Sequence, residues 1–162
     1  MHSSVFFRQV ERGDNKALAG MIREVFREHG APREGTVYSD PTTDDLYGLF
    51  RRSGSVLWVA TVNGVRAGCC GIYPTDGLPE SCAELVKYYL APEERGHGIG
   101  RELMEKCIGT ARDIGYRQLY LESLPHFSKA VGIYEKLGFR KLAEPLGSSG
   151  HTTCNIWMIL DL

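Results

Sequence analysis

The stretch "PEERGHGIGRELM", Pro92 to Met104, sets glycine at every second position, Gly96, Gly98 and Gly100, between two charged clusters. Glycine loses more conformational freedom on ordering than any other residue, so three this close together need a reason. A β-rich run, "CAELVKYYLAP", precedes them. A helical repeat follows, with Ile99, Leu103, Cys107 and Ala111 recurring every four residues to about Asp113. A strand, a glycine loop and a helix present free backbone N–H groups to an anion. The first four amides of a helix lack internal partners, and the helix dipole adds partial positive charge there. Here the glycines would let a phosphate approach without meeting Cβ atoms. Arg95, His97 and Arg101 add actual or potential positive charge, and a pyrophosphate is a natural occupant.

Spacing excludes the two commonest nucleotide patterns. G-x-G-x-x-G fits Gly96 and Gly98, but its third glycine falls on Arg101, and the loop sits mid-chain. G-x-x-x-x-G-K-[ST] needs a Gly-Lys pair, which the chain lacks. On spacing alone, a tight strand-to-helix turn with exposed arginines remains the alternative.

Outward from the loop, the elements alternate. Phe6 to Val10 reads as a first strand, and Asp14 as the N-cap of a helix with Leu18, Met21, Ile22, Val25 and Phe26 on one face, stopped by Gly30 and Pro32. A polar loop, "APREGTVYSDPTT", leads to a short helix starting near Thr43 or Asp44, with Leu46, Leu49 and Phe50 inward. "SVLWVATVNGVRAGCCGIYP" predicts a hairpin, because Asn63-Gly64 favours a tight turn with positive φ. After the glycine loop come a strand in "YRQLYLES" and a helix in "FSKAVGIYEKLG". That helix carries Phe127, Ala130, Val131, Tyr134 and Leu137 on one side and closes at Gly138. Strands in "FRKLAEP" and "CNIWMILDL" flank a turn, "LGSSGHTT". The order β-α-α-β-β-β-α-β-α-β-β predicts an α/β fold, a mixed sheet with helices on its faces, in one domain over residues 1–162.

Composition narrows the class. A net charge of -1 gives no global basicity for nucleic acid and no acidic tail for a basic partner. No run approaches the roughly 20 apolar residues of a membrane span. The opening "MHSSVFFRQVERGD" lacks a basic segment followed by an apolar one, so no signal peptide is expected. Five cysteines, Cys69, Cys70, Cys82, Cys107 and Cys154, are an odd number without C-x-x-C spacing. They predict reduced thiols, a cytoplasmic protein and no metal site.

Two segments together resemble a known family. "VKYYLAPEERGHGIGRELM" is similar to the acetyl-CoA motif of the GCN5-related N-acetyltransferases, the GNAT family. That motif, R/Q-x-x-G-x-G/A, is met by Arg95, Gly98 and Gly100, with Pro92 three residues upstream. "AVGIYEKLGF", Ala130 to Phe139, resembles the second signature, A-x-x-x-Y-x-x-x-G-F. The order of elements matches that fold, about seven strands and four helices, from about Val5 to Leu160.

The resemblance implies direct acetyl transfer from acetyl-CoA to an amine in a ternary complex. Arg95, Gly96, His97, Gly98, Ile99, Gly100 and Arg101 would hold the pyrophosphate through backbone amides. Tyr88, Tyr89 and Leu90 would splay from the neighbouring strand at a bulge and pair with the pantetheine arm. The Leu90 amide would steady the oxyanion. Tyr134 occupies the family's general-acid position. Without the family it would read as an aromatic in an apolar stripe. An alkylammonium with a pKa of about 10 must lose a proton before attack. Glu84 is the candidate base, with a solvent-facing strand residue as the alternative. Alternation puts Glu84, Val86 and Tyr88 on one face. One departure stands out: many members carry asparagine where this chain has Phe127, so either His126 or Ser128 replaces its contact or nothing does.

For the acceptor, the family builds its site from the loop after the first helix and the turn before the last strand. The first offers Arg33, Glu34, Tyr38 and Asp40, the second Ser148, Ser149 and His151. Arg33 would hold an acceptor carboxylate, and His151 would orient the acceptor or assist proton removal. A solvated loop charge and a turn-capping histidine are the alternatives. The acceptor is a small-molecule, amino-acid-like or peptide amine. An acyl-CoA-binding regulator with the same fold is the competing function, and homodimers occur among such folds. A nucleic-acid domain using Arg51, Arg52, Arg95 and Arg101 is disfavoured by the charge balance.

Overall fold

The computed structural model describes residues 4–162. The first three, which open the stretch read for a leader, lie outside the described residues. The strands are β1 (Val5–Gln9), β2 (Val56–Val62), β3 (Val65–Tyr73), β4 (Cys82–Leu90), β5 (Gln118–Ser123), β6 (Arg140–Leu142) and β7 (Ile156–Asp161). The helices are α1 (Asn15–His29), α2 (Leu46–Leu49), α3 (Ile99–Ile114) and α4 (Ser128–Lys136), with short 3-10 turns between several elements. One sheet orders the strands β1-β2-β3-β4-β5-β7-β6. All neighbours are antiparallel except β4 and β5, which α3 connects as a crossover.

Each face of the sheet buries its own core. Leu57, Val59 and Cys69 pack with Leu18, Ile22 and Phe26 of α1 and with Leu46 of α2. Ala60, Cys70 and Ile72 pack on the opposite face with Leu103, Met104, Cys107 and Ala111 of α3 and with Val131 and Tyr134 of α4. The four-residue repeat from Ile99 to Ala111 is thus the buried stripe of α3. The hairpin turns at Asn63 and Gly64, both with positive φ as its dipeptide demands.

Two local expectations are corrected. Asp14 stands at the N-cap of α1, but its side chain makes no cap bond. It is fully buried, bonded to Arg8 (2.7 and 2.9 Å), Arg66 (2.7 Å) and the Glu11 amide (2.7 Å). Two guanidiniums are stronger partners than one helix amide. The second correction concerns β4. Tyr89 pairs with Cys69 and Val86 with Gly71, so Lys87 and Tyr88 together oppose Cys70. This is a bulge, with Lys87 at φ 57°. The extra residue reverses the alternation: Val86 packs on the α1 face, Tyr88 on the α3 face. Glu84, Val86 and Tyr88 therefore do not share a face.

Candidate active site

Beyond the bulge, β4 and β5 part. Their parallel pairing covers only Cys82–Glu84 against Gln118–Tyr120. From Leu85 onward β4 has no strand partner on that side among the described residues. Ala91 N–H donates to Ala67 O at 2.8 Å, which makes that pair hydrogen-bonded. Antiparallel alternation then turns the Leu90 amide and carbonyl away from β3, toward the gap. A cleft of about 590 Å³ fills the gap, lined by β4 from Glu84 to Leu90 and by residues of α1, β5 and α4.

At one mouth lie Arg95 and Gly96. Gly96 and Gly98 have φ 82° and 83°, a region costly for residues with a Cβ, and a Cβ at either would meet nothing within 4 Å. No side chain caps the N-terminus of the 16-residue α3. The amides of Ile99, Gly100 and Arg101 therefore remain available to an anion. Ile99 buries its side chain in the core and can offer only backbone. Gly100 is glycine for another reason: a Cβ there would run into the Tyr88 hydroxyl and come within 2.7 Å of Leu90 Cδ1. So the helix packs directly on the splayed strand. His97 is exposed, and Arg101 is exposed and paired with Glu105 at 3.0 Å. Arg95 is a strut rather than a free charge. Its guanidinium grips Glu28 of α1 twice (2.6 and 2.9 Å) and donates to Leu90 O at 3.0 Å.

Deeper in the cleft stands Tyr134, its ring 6.0 Å from that of Tyr88 and 5.8 Å from that of Phe139. Burial pushes its phenol well above the ordinary value. Among the described residues nothing hydrogen-bonds its hydroxyl, yet no buried side-chain oxygen is sealed without a partner, so the hydroxyl opens onto the cleft. Glu84 is only 4% exposed, which removes the solvent-facing alternative. Burial pushes its carboxyl up to about 7, and the charge of Glu122 adds to this. A hydrogen bond from Thr75 Oγ1 (2.6 Å) and the charge of Lys87 act the other way. Glu122, also on the cleft wall, accepts from Tyr120 Oη at 2.7 Å and from Ser149 Oγ.

His151 reaches the cleft with Nε2 2.9 Å from Asp40 Oδ2. Burial alone would raise the Asp40 carboxyl, but the bonds from His151 and Thr42 hold it down at about 2. That carboxylate can only accept, so Nε2 carries the proton. Arg33 and Tyr38 do not line the cleft. Arg33 is exposed and lies over the Tyr38 ring, 4.9 Å from its centroid, while Tyr38 packs on Phe26. Phe127 lines the cleft and packs on Phe26 and His29 of α1, ring centroids 5.3 and 5.4 Å away. An aromatic brace thus stands at this position, with His126 and Ser128 beside it on the cleft wall.

Sequence reasoning missed Lys87, Thr75, Glu122 and Glu28. Lys87 carried a usable signal: like Glu84, it is a charge inside an apolar strand. The others come together only through the fold.

The family model described as "Acetyltransferase (GNAT) family" matches residues 12–139. The uncharacterized N-acetyltransferase YjgM of Escherichia coli (strain K12) is 34% identical over 160 residues, 98% of this chain and 96% of that one. A GNAT-family acetyltransferase from Staphylococcus aureus Mu50 superposes with a TM-score of 0.86 at 21% identity, covering 98% of this chain and 99% of that one. YncA of Salmonella typhimurium, solved with its cofactor acetyl-CoA, gives a TM-score of 0.76 at 19% identity, covering 98% and 94%.

Proposed function

The chain is an N-acetyltransferase of the GNAT family, and on that premise we propose that it moves acetyl directly from acetyl-CoA to the amine of a small molecule, an amino-acid-like metabolite or a peptide. The observation that carries this reading is the parting of β4 from β5 beyond Glu84, with the Leu90 amide turned into the gap beside an uncapped helix N-terminus. Acetyl-CoA fits that frame. The amides at Gly96 to Arg101 suit a pyrophosphate, and the unpaired edge of β4 suits the amide-bearing pantetheine arm.

When bound, acetyl-CoA supplies the acetyl group as a thioester. Glu84 takes a proton from the acceptor ammonium, directly or through water, because its raised pKa lets it both hold and release a proton near neutrality. The Leu90 N–H supports negative charge on the carbonyl oxygen. Tyr134, protonated at neutral pH by its burial, holds a proton at Oη for the leaving sulfur. One domain, residues 1–162, would carry all of this.

A CoA-release assay with acetyl-CoA and a panel of amines, amino acids and peptides tests the proposal. Release with one acceptor class supports it. Calorimetric binding of acetyl-CoA without release from any acceptor would overturn it and leave an acyl-CoA-binding regulator.

A further inference from the structure

Lys87 holds a backbone conformation and a degree of burial that are both unusual for a lysine. It is the extra residue of the β4 bulge, at φ 57°. Among the described residues the only other non-glycine with positive φ is Asn63, in a tight turn where asparagine is at home. A lysine gains nothing from that conformation. It is also only 6% exposed, and ammonium groups are rarely buried unless paired. Yet among the described residues its Nζ has no hydrogen-bond partner and no carboxylate within 4.0 Å. The nearby carboxylates are engaged elsewhere, Asp40 by His151 and Glu84 by Thr75. Among the described residues no buried side-chain nitrogen is sealed without a partner, and Lys87 lines the cleft, so its ammonium faces the cleft space. Burial lowers its pKa, with Asp40 and Glu84 opposing that.

A buried, strained, unpartnered cation in a substrate cleft awaits an anion. The same cleft carries Glu84 and Glu122, which suit an ammonium. We propose that Lys87 receives a carboxylate of the acceptor, so that the acceptor is a free amino acid whose amine lies close to that carboxylate. This rests on the acetyl-transfer reading above. It also gives Lys87 the role that the sequence suggested for Arg33, which does not line the cleft.

The test compares, in the wild-type enzyme, free amino acids with their carboxamides and their decarboxylated amines by CoA release. The amino acid should exceed both by about 100-fold or more in kcat/KM, the scale on which a site left with an unpaired buried charge rejects an analogue. Lys87→Met should raise the amino-acid KM at least about 10-fold and largely erase the discrimination, while Lys87→Arg should restore part of it. Melting of Lys87→Met should be no lower than wild type, because an unpaired buried charge is removed. Its acetyl-CoA affinity by calorimetry should stay within about twofold, since the lysine addresses the acceptor. Equal use of amide, amine and amino acid by the wild-type enzyme would overturn the inference whatever the variants do, while leaving acetyl transfer intact. So would undiminished discrimination in Lys87→Met, or a large loss of acetyl-CoA affinity in that variant. Failure of every amine to release CoA would sink the transfer reading, and this inference with it.

Discussion

Tyr134 and Glu84 make opposite demands on the same cleft. The tyrosine is buried with its hydroxyl open to the cleft, so it stays protonated and can give a proton. The glutamate is buried beside another carboxylate, so it ionises only near neutrality. Tyr134→Phe should lower kcat by about 100-fold or more, the usual scale of a lost general acid, while acetyl-CoA affinity measured by calorimetry barely changes. The kcat/KM profile should rise with pH through about 7, where Glu84 loses its proton. Glu84→Gln should abolish that limb, and Glu122→Gln should move it to lower pH by removing the repelling charge. Stability runs the other way. The Glu84 carboxyl has a higher pKa folded than its ordinary value of 4.5, so the native state loses stability as pH rises from 4.5 through about 7. Thermal melts of Glu84→Gln at pH 8 should therefore exceed wild type. In the sequence, both residues were legible as candidates. Their burial was not, because it depends on what α1, α4 and the loops place over them.

At the scale of elements, the bulge in β4 does more than any other feature to shape the site. It shifts the register, so Tyr88 packs toward α3 while Tyr89 packs toward α1. The run "VKYYLAP" shows a strand but not which residue is extra, since that depends on pairing with β3. The same holds for Asp14, whose position before a helix signals a cap. Only the fold brings Arg8 of β1 and Arg66 of β3 onto its carboxylate. Burial would raise that carboxyl, but Arg8, the Glu11 amide and Arg66 hold it well below its ordinary value. Its contribution to stability is therefore present above about pH 4 and lost as pH falls below that. Asp14→Asn should cost about 2 kcal/mol at neutral pH, read from denaturant unfolding. That is less than for a wholly buried ion pair, because both arginines are about one-third exposed. The cost should shrink on acidification.

Across the whole molecule, three distant loops are tied to one another. Thr153 N–H donates to Gly35 O at 3.2 Å and its hydroxyl to Glu34 O at 2.7 Å, joining the turn before β7 to the loop after α1. Ser148 N–H donates to Asp76 O at 2.6 Å, adding the connection between β3 and β4. The pair of His151 and Asp40 is the charged member of this clamp. Asp40→Asn should loosen it, raising amide exchange in residues 31–45 about 10-fold with little change in α3, as hydrogen-exchange mass spectrometry would read. The acceptor KM should rise with it, because the cleft wall carrying His151 is no longer held.

The sequence by itself determined the order of the elements, the helical stripes, the hairpin and the glycine loop, because each rests on local periodicity or on backbone conformations that few residues adopt. Two motifs in the right order also pointed to the family that the comparisons show. The tertiary structure decided what the local code cannot express. Gly100 is free of a Cβ for the sake of Tyr88, while Gly96 and Gly98 serve the left-handed turn. Arg95 braces α1 instead of standing free, and Arg33 does not line the cleft. A lysine with no part in either motif became the buried cation on the cleft wall that has no partner among the described residues. Burial and pairing are properties of neighbours distant in the chain, and those two quantities set the charge a side chain carries and the ligand it can hold.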